Sequence, residues 1–206
     1  ASDNVLVGGG FTNFAGATGA NYPVRLNAAD GTRDTGFTAA VTSSVNCVQV
    51  LTDGKLLVGT SIGLVRLNTN GTSDGTFAYS GGLAVTAIAA VPSSTDLILT
   101  GSSGAVQRIT GNGTLVTPWP ASGLMANTTV TDSLAVNGGY FIAGAFSNYN
   151  STTANSLTLL NSNGTLNTAY ASAAGSGFSS SVSCLAQDSL GRLWVGGAFT
   201  TYRGAT

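Results

Sequence analysis

The chain has 206 residues, with eight Asp, no Glu, one Lys, six Arg, a net charge of −1 and no histidine. The missing imidazole excludes Ser-His-Asp and Cys-His catalysis and His-ligated zinc. Seven scattered cations are a poor footprint for phosphate neutralisation, so no nucleic-acid partner is expected. No apolar run approaches the ~20 residues of a membrane helix, so no membrane insertion is expected either.

The predicted elements are all β, because Gly, Ser, Thr, Asn and Ala dominate and apolar residues alternate with period two. The first unit, 1–44, holds the strand "NVLVGG", the connection "GGGFTNFAGAT" and the hairpin "VRLNAADGTRDTGF". The second, 45–84, reads "VNCVQVL", "KLLVG", "VRLNTNGTSDGTF", and the third, 85–129, "VTAIAAV", "LILTG", "VQRITGNGTLVTPW". The fourth, 130–181, reads "VTDSLAV", "YFIAG", "AGAFSNYNSTT", "LTLLNSNGTLNTAY"; the fifth, 182–206, contains "VSCLAQD", "RLWVGG" and "GGAFTTYRGAT".

Strand-closing glycines at Gly8, Gly59, Gly101, Gly144 and Gly196 are separated by 51, 42, 43 and 52 residues. About four strands per such period is the sequence form of a β-propeller blade. The expectation is therefore one propeller or propeller fragment over 1–206, built from four-stranded antiparallel blades. The units supply three, four, four, four and two strands, so both ends fall mid-repeat. That count, with an opening "ASDNV" that lacks Met, reads as an excised piece with an open strand edge.

Turn chemistry accounts for the recurrent polar residues. Asp30, Asn70, Asn112 and Asn163 each precede Gly-Thr, where a short polar side chain stabilises a tight turn. Five positions after each threonine stands an aromatic, Phe37, Phe77, Trp119 or Tyr170, expected at equivalent buried sites. Asp53, Asp96 and Asp188 are expected in a second set of turns, which leaves neither a catalytic carboxylate pair nor a calcium loop at Asp30 and Asp34 as the favoured reading. Arg25, Arg66 and Arg108 share one repeat position and are expected to face solvent or ring an anion-binding surface. Cys47 and Cys184 occupy matching positions and read as small buried thiols on inner strands rather than a disulfide. Asn70, Asn112, Asn127, Asn150 and Asn163 begin Asn-X-Ser/Thr sequons, three of which the hairpin turn itself generates.

Candidate binding residues lie in the three long connections after the closing glycines. Each carries two aromatics three apart: Phe11 and Phe14, Phe146 and Tyr149, Phe199 and Tyr202. The first of each pair is expected to wedge between blades. The second, Phe14, Tyr149 or Tyr202, with Asn13, Asn148 or Thr201 beside it, is expected to face solvent and offer a stacking platform for a sugar. No cofactor or metal is expected.

The stretches "DGKLLVG", "GGAFTTYRG" and "RLNTNGTSDGTF" resemble the bacterial delta-sixty repeat β-propeller pattern, and the resemblance covers nearly the whole chain. It implies a propeller module of large secreted, surface or virion-associated proteins and no catalytic residues. Three functions follow as expectations: a structural or adhesive extracellular module of a bacterial surface protein or phage virion, a lectin-like propeller using the aromatic connections, and a glycan-active enzyme working through Asp. Partners would be other subunits or continuing chain at the open edge, and glycans.

Overall fold

The computed structural model describes residues 4–14, 17–18, 22–119 and 125–205. The chain divides into two compact units, Ala1–Val85 and Thr86–Thr206. In the first, β1 (Val5–Val7) pairs antiparallel with β4 (Val24–Leu26), and the connection between them folds as a two-residue ladder of β2 (Asn13–Phe14) and β3 (Ala17–Thr18). Residues 15–16 of that long connection lie outside the described residues. The next blade orders β5 (Val45–Val50), β6 (Leu56–Thr60) and β7 (Gly63–Leu67) side by side, with β6 in the middle and buried along its whole length. Phe37, Val41, Val45, Leu56, Val58 and Leu67 form the core of this unit. Full burial of each such side chain contributes roughly 1.5–3 kcal/mol.

The second unit repeats the plan. Strands β8 (Val85–Ala90, whose first residue closes the first unit), β9 (Leu97–Gly101) and β10 (Val106–Ile109) make one sheet. The next sheet orders β11 (Val130–Val136), β12 (Gly139–Gly144) and β15 (Leu157–Asn161). Between β12 and β15 the chain forms the hairpin of β13 (Asn148–Tyr149) and β14 (Thr152–Thr153). A helix, α1 (Thr168–Ala174), leads to β16 (Val182–Gln187) and β17 (Leu193–Gly197), which pair with each other.

Each expected outermost strand is a single β-bridge: Leu26↔Arg33, Leu67↔Ser73, Ile109↔Leu115 and Leu160↔Leu166. The Asx turn explains why. Asp30 and Asn70 accept from both the backbone N–H and the hydroxyl of the threonine two residues on, at 2.7–3.1 Å, and Asn163 does the same for Thr165. The turn absorbs the residues that would extend the ladder. Counting the bridges, the blades supply three, four, four, four and two strands among the described residues.

Neighbouring inner strands are stitched by a side chain that the sequence reading passed over. Asn46 Nδ2 donates to Val85 O at 2.9 Å, the Thr86 hydroxyl to Val130 O, and the Thr131 hydroxyl to Val182 O at 2.8 Å. In every case the residue after the first Val of an inner strand reaches the first Val of the next inner strand. Cys47 and Cys184 stand opposite Gly59 and Gly196 in register, and a Cβ on either glycine would collide with the facing sulfur. The small thiol and the closing glycine are thus one packing solution and neither cysteine is in a disulfide, but the expected burial is corrected, since Cys47 is half-buried and Cys184 exposed.

The expected all-β class holds, with one short helix added where Asn167 caps α1 by accepting from Tyr170 N at 2.9 Å, ahead of the alanine-rich "TAYASAA". Another expectation is corrected: the four turn aromatics are not equivalent. Phe37 and Phe77 lie beneath Arg25 and Arg66, whereas Trp119 packs edge-on to Tyr140 and Tyr170 edge-on to Phe141 from within the helix. Of the four, only Phe37 is fully buried.

Candidate functional site

The arginines expected to face solvent are instead the centre of a clasp. Arg25 Nε binds Asp34 Oδ2 at 2.8 Å while its guanidinium sits 4.8 Å from the Phe37 ring centre. Arg66 repeats the arrangement with Asp74 at 2.7 Å and Phe77 at 4.8 Å, and Lys55 adds a second cation on Asp74 at 2.9 Å. Arg108 pairs with Asp96 at 2.8 Å, without the stacked ring. Asp96 therefore leaves the turn role expected for it, while Asp53 and Asp188 keep theirs, accepting from the N–H of Lys55 and of Leu190. The Asp74 carboxyl is held well below the usual carboxylate range by the Thr76 hydroxyl, Lys55, the Thr76 N–H and Arg66. Asp34 is lowered chiefly by Arg25, then by the Gly36 N–H.

The candidate binding residues separate. Tyr149 is 0% exposed and donates its hydroxyl to Gly164 O at 2.8 Å, so the expected solvent-facing platform is absent there. Its place is set by the preceding linker: Ala126 bridges to Tyr149, and Asn127 Oδ1 accepts from the N–H groups of Ser147 and Asn148 at 3.0 Å each. Phe146 is buried in the same cluster, so both aromatics of this connection are packing residues. Asn148 is half-buried beside them. Asn13 is exposed and Phe14 half-buried on the β2–β3 ladder.

Tyr202 remains 37% exposed, stacked 4.6 Å from Phe178, which in turn lies 4.5 Å from Phe199. Half-buried Thr201 is tied by its N–H to Ser179 Oγ, the counterpart of the Asn127 clamp. Tyr170, in α1, has its hydroxyl pushed up to about 12 by burial first and by the influence of Tyr202 second.

A site that the sequence reading missed lies in the first unit. The antiparallel register Val45↔Thr60 puts the two-residue β6–β7 turn beside the start of β5. There it meets segments 40–43 and 79–82 around a cavity of about 350 Å³. Val41, Leu64, Val65 and the Tyr79 ring line it together with the hydroxyls of Thr42, Ser43 and Ser80, and no charged side chain does. Burial raises the Tyr79 hydroxyl, which accepts from Leu83 N at 3.3 Å. The legible signal was "GTSIG" where other units carry a long aromatic connection, followed by an extra tyrosine in "TFAYS".

Comparison with known proteins agrees with this architecture. A domain of unknown function (DUF5122) beta-propeller matches residues 1–37, 51–77 and 137–170, and a two component regulator propeller matches 176–199. No curated protein matches. The computationally designed Ika8 protein is similar over 81% of this chain and 46% of its own, with TM-score 0.55 and 13% identity. The extracellular domain of the putative hybrid two component system BT3049 from B. thetaiotaomicron is similar over 89% of this chain and 23% of its own, with TM-score 0.53 and 18% identity. The chain thus spans less than half the length of either. The repeated blades and these likenesses define a β-propeller.

Proposed function

We propose that the chain is a non-catalytic, extracellular β-propeller module of the delta-sixty repeat type, structural and adhesive, in a bacterial surface protein or a phage virion. The observation that carries this reading is the clasp. The repeat's recurrent ionisable residues, Arg25 with Asp34, Arg66 with Asp74 and Arg108 with Asp96, are consumed in closing the blades rather than aimed into a shared pocket. The likeness to the extracellular domain of a putative hybrid two component system supports the location. Among the described residues β17 pairs only with β16 and β1 only with β4, whereas β12 has a strand on each side. Open edges of this kind accept strands, and the proposal assigns them to other subunits or continuing chain.

A glycan-binding reading of the long connections is favoured by one observation, the exposed Tyr202–Phe178 stack. Its residues are then Tyr202, Thr201, Phe14 and Asn13, with Tyr149 and Asn148 withdrawn to packing. The experiment for the main reading is immunolabelling of intact cells and of purified virions with antibodies against this chain. Label on unpermeabilised cells or on virions is expected; label only after permeabilisation overturns it.

A further inference from the structure

We propose that the cavity between segments 40–43, 60–65 and 79–82 is a binding site for a small neutral saccharide of one or two hexose units. The proposal goes beyond the module's architecture and does not use the long-connection aromatics.

The lining chemistry selects the ligand class. Exposed Thr42 and Ser80 and half-buried Ser43 bring hydroxyl-bearing side chains to the lining, while Val41, Leu64, Val65 and Tyr79 supply apolar surface in the same space. A wholly apolar ligand would cover those hydroxyls without satisfying them, which is costly. An anionic or cationic ligand would meet no opposite charge, because no Asp, Lys or Arg lines the cavity. A pyranose ring meets both halves, with C–H faces for the tyrosine ring and aliphatic groups and hydroxyls for the rim. At about 350 Å³ the space lies at the lower end of ligand pockets, roughly 300–1,000 Å³, and suits a small ring.

The contrast with the fourth unit gives the site its reason. There the connection between the second and third strands inserts Phe146 and Tyr149 against the preceding linker, at Ala126. In the second unit the same connection is the turn Ser61–Ile62, and the preceding linker, residues 40–43, faces a cavity instead of a hairpin.

The test is a ¹H–¹⁵N titration of the full chain with methyl glucoside, methyl galactoside, N-acetylglucosamine and cellobiose, with glucuronate as the charged comparator. At least one neutral sugar is expected to shift the amides of residues 40–43, 60–65 and 79–82 saturably. The expected Kd is about 1–10 mM, ordinary for a ligand of about a dozen heavy atoms. The triple variant Thr42→Ala, Ser43→Ala, Ser80→Ala is expected to weaken binding at least about tenfold. Tyr79→Leu is expected to do the same, with its thermal midpoint recorded; if that variant does not fold, the hydroxyl triple decides. The proposal is overturned by the absence of saturable shifts at the cavity up to about 50 mM, several times that Kd, by shifts confined to Phe178 and Tyr202, by glucuronate binding as tightly as the neutral sugars, or by unchanged affinity in the triple variant.

Discussion

The second and fourth blades share one frame and differ in a single connection. Both set an inner, a middle and a third strand side by side, and both close with an Asx turn and one bridge. In the second blade two residues, Ser61 and Ile62, join the middle strand to the third, and Ile62 is 71% exposed. In the fourth the twelve residues from 145 to 156 do so, and they carry Phe146 and Tyr149 into the core. The added residues convert a solvent-facing turn into a plug, so between these two blades the long connection fills the blade end with protein where the short one leaves a cavity. Loops carry variation that the strands cannot, because strand positions are committed to ladders and packing.

The largest effect that can break this comparison is at Tyr149. Tyr149→Ala is expected to destabilise the chain by about 3–5 kcal/mol in urea unfolding, since it removes a buried ring and leaves Gly164 O unpaired. Tyr149→Phe, losing only the hydroxyl, is expected to cost about 1–3 kcal/mol. An alanine variant within about 1 kcal/mol of the parent shows that the connection is no plug.

The clasp of the second blade gives the next effect, and a pH test. The folded Asp74 carboxyl titrates below its unfolded value of about 3.9. Its contribution is therefore present above that value and lost as pH falls through the folded one. Asp74→Asn is expected to lower the thermal midpoint at pH 7, and the gap from the parent should narrow steadily as pH falls below about 4. A gap that stays constant down to pH 2 removes the ionic clasp.

The fourth blade carries the opposite pH signature. Tyr170 is raised to about 12, so its contribution is intact below the unfolded value near 10 and is lost as pH rises from there toward 12. Ultraviolet titration of the parent against Tyr170→Phe should show one late-ionising tyrosine missing, and the variant should lose less stability between pH 10 and 12. The smallest expected effect is at the exposed turn. Ile62→Ser should change stability by no more than about 0.5 kcal/mol, and a larger loss in unfolding experiments means that the short connection also packs.

Local chemistry made much of this protein legible. The repeat length, the strands and the Asx-Gly-Thr turns follow from period-two alternation and from side chains that bond their own backbone two residues away, and such signals survive without tertiary context. The matching of Cys47 and Cys184 was visible as a pattern, although its cause, the glycine across the ladder, was not. The helix at Thr168–Ala174 was hidden because seven residues are too few to show a helical period.

Tertiary structure decided the rest. Alternation placed Arg25 and Arg66 off the core, yet Asp34 and Asp74 come round the turn to meet them, and an aromatic lies beneath each guanidinium. The inner-strand stitch from Asn46, Thr86 and Thr131 joins residues 39 to 51 positions apart, beyond any local rule. Tyr149 and Tyr202 occupy the same place in matching stretches of sequence, and one is sealed while the other is exposed. The physical reason Tyr149 is sealed is the acceptor: a tyrosine can be buried where its hydroxyl finds a partner, and Gly164 O lies at that point, whereas Tyr202 stacks on Phe178 with part of its surface exposed.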